Sequence, residues 1–385
     1  VKSPIRNLDA EIFDQKVIVN CHRQELFPRC SNDGVSYFVS PGCICERHII
    51  RTIKQMDFTD GKVVKQAYWH GFSKYRKWTH MNRYWEMGLL VVQVDDEGDH
   101  TITPCAIKPV SKGFATSYFD KIISSKGVFK PDKKIFINGD MHCEKHDGSV
   151  LDIQEEVCKD YKPDVYVNVG DTMNFSSLNH HVMDRGGVIL NQKLSRESAQ
   201  TYFVLKRAAK WAKKCHIIYG NHERFASDFT EKYPQLKDML NFEFLCDVED
   251  IGYEVTDLKG VLKIGSTTFI HGEMRMFGQK GTKIEKVFHT FGRDTFLGHI
   301  HCPMVRFGAY SIGLTGMLDQ EYNEPDASQW IHGFGMCNQY KGKSWPTTIS
   351  IINNKCILNG KKYLPINPDS CKLSRYNVKL QFDVA

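Results

Sequence analysis

The stretch IIYGNHERF, residues 217–225, closes a short β-branched run with Gly, Asn, His and Glu. The apolar part reads as a buried strand. A strand that only met solvent would need nothing beyond turn-forming residues. This one ends in a carboxamide oxygen and an imidazole, both able to bind a metal. KIFINGD (134–140) and DVYVNVGD (164–171) repeat the form upstream, each an apolar run that stops at Gly-Asp. Between them SVLDIQEEVCKDY (149–161) has apolar residues at helical spacing, with Ser149 placed to cap it. A second helix is expected over SRESAQTYFVLKRAAKWAKKC (195–215), with Ser195 as its cap.

Strand and helix alternating, with a polar loop after every strand, predict an α/β fold with a largely parallel sheet covered by helices. In such sheets ligands bind beyond the carboxyl ends of the strands. After about residue 245 the helical pattern fades. YEVTDLKGVLKIGSTTFIHGE (253–273) and DTFLGHIHCPMVRFGAYSIGL (294–314) alternate like antiparallel strands, enough for another sheet packed on the first.

The strand ends share one chemistry. They offer Asp140 and His142, then Asp171, Asn221 with His222, His271, and finally His299 with His301. Carboxylate, carboxamide and imidazole together suit borderline divalent ions such as Mn, Fe or Zn. One Asp-x-His arises by chance in a surface loop; five such elements, each at a strand end, do not.

In this order, GD-x-H, GD, GNH, HG and GH-x-H, the chain resembles the calcineurin-like metallophosphoesterase superfamily, over roughly residues 133–340. The resemblance implies a four-layer α/β/β/α sandwich around two divalent ions, Mn first, with Fe or Zn as alternatives. Carried over by motif, Asp140, His142 and His301 would hold one ion. Asn221, His271 and His299 would hold the other, with Asp171 bridging. His222 would be the non-ligand histidine that faces the substrate. Glu223 stands where relatives carry Asp to support that histidine, and Asn174 stands where relatives often carry an acid. In the same loop His180 and His181 are candidates for substrate contact, whereas His146 reads as a solvated turn residue. Cys143, Cys215 and Cys302 read as small buried hydrophobes. GLTGMLDQEYNEPDASQWIHGFGM (313–336) extends the resemblance to bacterial and phage members, and with it the expectation of a phage-encoded protein acting in a host cytoplasm.

Length and composition frame this reading. The 385 residues suffice for two domains, and 41% hydrophobic with 25% charged residues is ordinary for a globular chain. A boundary is expected within SSKGVFKPDKK (124–134), dividing an N-terminal domain (1–130) from a metallophosphoesterase domain (131–385). No apolar run is long enough to span a membrane, and the first residues lack the apolar core of a secretory signal. Without an initiator Met the chain reads as a processed or trimmed product. Thirteen scattered cysteines suit reduced thiols rather than a disulfide framework.

Two features mark the first 130 residues. Cys21, Cys30, Cys43 and Cys45 fall close together and could hold a structural zinc, although no Cys-x-x-Cys pair is present. Downstream, Lys74, Arg76, Lys77 and Arg83 interleave with Tyr75, Trp78, Tyr84 and Trp85. Cations for phosphate and aromatic faces for bases are what a nucleic-acid groove needs; a wet basic face over packed aromatics reads equally well. With a net charge of +6, the expected function is a Mn-dependent nuclease, with DNA as partner before RNA. A homo-oligomer is compatible with the sequence. The rival readings are a small-molecule phosphatase or nucleotide phosphohydrolase, and a non-catalytic nucleic-acid-binding scaffold.

Overall fold

The computed structural model describes residues 87–111, 113–179, 193–257, 259–277, 283–320 and 330–366, together with the backbones of four strands between residues 7 and 41. Those four, Asn7–Ile12, Gln15–Asn20, Leu26–Cys30 and Ser36–Pro41, form a sheet of their own.

The sandwich begins with β1 (Lys133–Asn138), followed by α1 (Gly148–Tyr161), β2 (Val165–Asn168), α2 (Leu194–Ala208) and β3 (Lys214–Ile218). Helix α3 (Glu223–Lys232) and strand β4 (Tyr253–Thr256) come next. β1 to β4 run parallel, as the strand–helix alternation requires. A second sheet contains β5 (Leu262–Ile264), β6 (Thr267–Ile270), β7 (Thr295–Leu297), β8 (Pro303–Arg306) and β9 (Ala309–Ile312), with α4 (Ile284–Phe291) between β6 and β7. The chain then returns to the first sheet through β10 (His332–Tyr340) and β11 (Lys343–Ile351). β10 lies antiparallel against β1, so the first sheet reads β4-β3-β2-β1-β10-β11 and the second β5-β6-β7-β9-β8.

Alternation along the strands builds the layers. Ile135, Ile137, Val165, Val167 and Ile218 face the second sheet and meet Phe269, Phe296, Val305, Tyr310 and Ile312. Phe136, Tyr166 and Cys215 face the other way, against Val150, Ile153 and Val157 of α1 and Val204 and Leu205 of α2. Helix α4 covers the far side of the second sheet with Ile284 and Val287. Four layers result, helices outside and sheets inside. Burial on both faces explains why β1 and β2 read as unbroken apolar runs rather than alternating ones.

Several local expectations are corrected. Asp147, not Ser149, caps α1: its carboxylate accepts the N–H groups of Ser149 and Val150 at 2.9 and 3.3 Å, while Ser149 is already helical and buried. Helix α2 starts at Leu194 after Lys193, which provides no side-chain cap, and Ser195 lies inside its first turn. β4 and β7, expected in antiparallel pairs, are parallel to their neighbours. A two-turn helix, α4, occupies the region where helical pattern was expected to be lost. His146 is buried at 7% exposure. The cysteines beside the motifs, Cys143, Cys215 and Cys302, are free and buried as read.

Packing does not stop at the Lys-Pro-rich stretch. Ala115 and Ile122 share a cluster with Trp345 of β11, whose indole N–H donates to the Ala115 carbonyl at 3.1 Å. The Thr347 hydroxyl donates to the Pro104 carbonyl at 2.7 Å, and the Asn338 amide to Ser117 Oγ at 2.6 Å.

The centre of the sandwich is aromatic. Phe269 and Phe296 stack at 5.7 Å with an interplanar angle of 5°, both fully buried. Truncating Phe296 to Ala is expected to cost about 3–5 kcal/mol. Urea denaturation of the variant should show this as a lowered midpoint with an unchanged slope.

Candidate metal centre

β1, β2, β3, β6 and β7 end on one rim, and each delivers its polar loop there. Ligand atoms of Asp140, His142, Asp171 and His301 lie within 4.8 Å of one another, and so do those of Asp171, His271 and His299. Asp171 belongs to both groups. Asn221 Oδ1 joins the second, 2.9 Å from His271 Nε2. All the residues singled out at strand ends are therefore brought together, although His142 and His301 stand 159 positions apart in the chain.

The loops reach this geometry through unusual backbone. Asp140, His142, Asp171, His299 and His301 all adopt positive φ, between 46° and 63°. For residues with a Cβ this region is sparsely populated, and it persists where surrounding contacts impose it. Those contacts run from loop to loop. The His222 N–H donates to Asp171 Oδ1 at 2.9 Å, and the His299 N–H to Asp140 Oδ1 at 2.9 Å. Such close approach explains two of the motif glycines. A Cβ on Gly220 would sit 2.2 Å from Asp171 Oδ1, and one on Gly298 would sit 2.5 Å from Asp140 Oδ2.

Hydrogen bonds at the outer nitrogens set which ring atoms face inward. His271 Nδ1 donates to the Val169 carbonyl at 2.9 Å, and His142 Nδ1 to Asn174 Oδ1 at 3.2 Å. Nε2 of both rings is thus aimed at the centre. There His142 Nε2 meets His301 Nε2 at 3.4 Å, and His271 Nε2 meets Asn221 Oδ1 at 2.9 Å and Asp171 Oδ2 at 3.4 Å. Acceptors facing acceptors in a buried site need a proton or a cation between them. The donor set of oxygen and imidazole nitrogen fits divalent metal.

The charge state follows. Burial disfavours the imidazolium of His271, but the Asp171 carboxylate outweighs it and holds His271 up at about 10. Burial likewise works against ionised Asp171, and His271 and His222 overcome it, so that carboxyl lies well below its ordinary range. Burial lowers His299 to about 4 and drives His142 well down, leaving both rings neutral.

Around the rim, His222 Nδ1 donates to the Asn174 carbonyl at 2.8 Å, and its Nε2 lies 3.9 Å from Asp171 Oδ2. Support for this ring comes from Asn174. The Glu223 carboxylate is turned to the backbone, where it accepts the N–H groups of Asp171, Thr172, Met173 and Gly220 at 3.1, 2.7, 3.2 and 2.7 Å. It ties the Asp171 loop to the Asn221 loop. Burial, and then Asp171, raise its carboxyl to about 7.

His180 and His181, Cys21, Cys43 and Cys45, and Lys74, Arg76, Lys77 and Arg83 lie outside the described residues; Cys30 ends a strand described by backbone alone. Two neighbours of the site were not foreseen. Trp330 sets its ring edge-on to His301 at 4.4 Å. Glu197, buried in the first turn of α2, accepts the Ser177 N–H at 3.3 Å. A glutamate there reads as an ordinary helix-dipole partner, so the sequence carries no signal for it. Asp95, Glu97 and Asp99 also converge, but around Lys362 Nζ at 2.7, 2.6 and 2.6 Å, which already occupies the space between them.

The family model for calcineurin-like phosphoesterases matches residues 133–333, just over half of the chain, and the chain belongs to that family. It is a hydrolase of the metallophosphoesterase class with a metal-binding cluster of buried His and Asp. Among solved structures it is similar to a Vps29 mutant from Entamoeba histolytica, at 12% identity and a TM-score of 0.33, covering 60% of this chain and 96% of that one. The phosphoesterase Yfce from E. coli aligns at 16% identity and a TM-score of 0.28, covering 53% and 87%. The nuclease MPE from Pseudomonas putida aligns at 15% and 0.25, covering 62% and 99%. A search of curated proteins returns no match.

Two outcomes follow from this geometry. A metal entering beside Asp171 must displace the proton on His271, which the metal-free protein keeps up to about pH 10. Apparent Mn affinity should therefore rise with pH, by up to about tenfold per unit between roughly pH 6 and 9, with proton release visible in a weakly buffered titration. A flat profile would contradict the assignment of His271. Separately, Gly220→Ala should weaken Mn binding by at least about tenfold, because its Cβ displaces the Asp171 carboxylate; equilibrium dialysis reads the loss.

Proposed function

We propose that the protein is a two-metal phosphodiesterase that hydrolyses nucleic-acid phosphodiester bonds, with Mn as the working ion. The observation that carries this reading is the membership of Asp171 in both donor groups. A shared carboxylate is the arrangement that pairs two ions about 3.5–4 Å apart. Asp140, His142 and His301 would hold one ion and Asn221, His271 and His299 the other. Bound there, divalent ions supply charge neutralisation at phosphate and an acidified water. The choice of Mn rests on a ligand set with oxygen and imidazole but no thiolate.

His222 does the remaining work. Its Nδ1–H is fixed on the Asn174 carbonyl, so the imidazolium form would carry its second proton on Nε2, to give to the departing oxygen or to stabilise its charge. The positive φ of the ligand residues keeps the donors in place before substrate arrives, so no reorganisation is needed during the reaction. Nucleic acid is favoured as substrate by the net charge of +6 and by the basic–aromatic run containing Lys74, Arg76, Lys77 and Arg83.

The test uses protein stripped of metal and reloaded with Mn, given linear DNA, closed-circular DNA, RNA and p-nitrophenyl phosphate. Loss of DNA that requires Mn and disappears in Asp171→Asn is the expected result. His222→Ala should lower turnover by about 10²–10⁴-fold while Mn binding persists. Turnover of p-nitrophenyl phosphate with every nucleic acid intact would instead identify a small-molecule phosphatase.

A further inference from the structure

Asn174 meets His222 with its main-chain carbonyl and His142 with its side chain, and that side chain has no fixed polarity. A carboxamide carries a donor and an acceptor on the same fork. If the fork turned over, its NH₂ would face His142 Nδ1, and that nitrogen would have to become the acceptor. The proton would then move to Nε2, the atom aimed at the metal group. Something must therefore hold Asn174 with its oxygen toward His142.

The structure contains a chain of contacts able to do this. Asn174 Nδ2 donates to Ser176 Oγ at 2.6 Å. A hydroxyl that accepts there has its own proton free to give, and the acceptor is Glu197. Its Oε1 accepts the Ser177 N–H at 3.3 Å, and the Ser176 hydroxyl and N–H lie beside it and favour its ionised form. Glu197 is fully buried, as are the side chains that it organises. Its Oε1 takes the Ser177 bond, whereas Oε2 has no hydrogen-bond partner. A proton taken up by the carboxyl therefore has Oε2 to reside on, and Oε1 stays an acceptor in either state. The direction of the whole chain is thus set at its far end. Glu197 accepts, Ser176 donates to it and accepts from Asn174, and Asn174 presents Oδ1 to the N–H of His142 at 3.2 Å.

We propose that Glu197 is a positioning residue which, through Ser176 and Asn174, fixes the ring tautomer of His142 and the orientation of His222. The connection to His222 runs through the Asn174 main chain, since the same turn that Glu197 anchors at residue 177 carries the carbonyl to which His222 Nδ1 donates. This role rests on the phosphoesterase reading for its catalytic consequence, but not for its effect on the metal site.

The experiment compares wild type, Glu197→Ala, Ser176→Ala, the double variant, and Glu197→Ala combined with Asn174→Asp. Mn dissociation constants and bis-p-nitrophenyl phosphate kinetics are measured on the full chain, with thermal unfolding alongside. Glu197→Ala should weaken Mn binding and lower kcat by about 10–100-fold, with KM changed by less than about threefold. Ser176→Ala should lose nearly as much, and the double variant no more than the worse single one, because both break one chain. Asn174→Asp should restore most of the loss in the Glu197→Ala background. An aspartate at 174 is acceptor-only and holds the His142 N–H without outside help. A purely structural role for Glu197 would lower the unfolding temperature, give multiplying losses and show no rescue; that pattern, or unchanged Mn binding in Glu197→Ala, overturns the proposal. If Glu197→Ala does not fold, Ser176→Ala with and without Asn174→Asp decides the same question. If wild type leaves the diester intact, the phosphoesterase reading fails and the Mn constants alone decide the role of Glu197.

Discussion

The structure depends on one constraint: lone pairs of several buried side chains are turned toward each other around Asp171. Three imidazole nitrogens, a carboxamide oxygen and the carboxylates converge, and in the metal-free protein the proton held on His271 relieves part of the crowding. Repulsion of this kind is tolerated only if the surrounding protein enforces it and a cation relieves it. The enforcement is visible in each loop. Positive φ angles aim the ligands, main-chain N–H groups of one loop grip the carboxylate of another, and glycine removes the Cβ that would intervene. Fold and centre are therefore one arrangement, because the sandwich exists in a form that brings five strand ends to a single rim.

Support for the converging side chains comes from surrounding residues that divide the labour. Glu223 joins two loops by collecting four backbone N–H groups. Asn174 orients two histidines through different atoms, its amide oxygen for His142 and its main-chain carbonyl for His222. Neither residue needs to touch substrate for its removal to be felt at the centre.

Much of this was legible in the residues themselves. The Gly-Asp, Gly-Asn-His and Gly-His-x-His strand ends identified the residues that converge, because metal-binding side chains at strand termini are chemically distinctive. The parallel order of β1 to β3 was legible from alternation with helices. What escaped the sequence lacked a local signature. Strand direction for β4 and β7 is decided by the layer each joins, not by its own residues. Asp147 outcompeted Ser149 as a cap because Ser149 was already drawn into the buried helix. The roles of Glu197 and Trp330 arise from packing across the fold, and an acidic residue in a first helical turn or a lone indole looks ordinary in one dimension.

The return of β10 to lie against β1 has a kinetic side. The first sheet is completed by a strand from beyond the second sheet, since the partner of Lys133–Asn138 is His332–Tyr340. Pairings of such sequence separation close late and slowly, because the intervening loop loses its entropy before the contacts form. The His142 and His301 loops straddle the same gap. A chain in which the His301 loop has not yet met the His142 loop therefore has only the first half of the donor cluster, and a metal that needs both halves would bind in full only after they meet. Capture then favours the folded state alone, and acts as a thermodynamic latch on the slowest step of its own assembly.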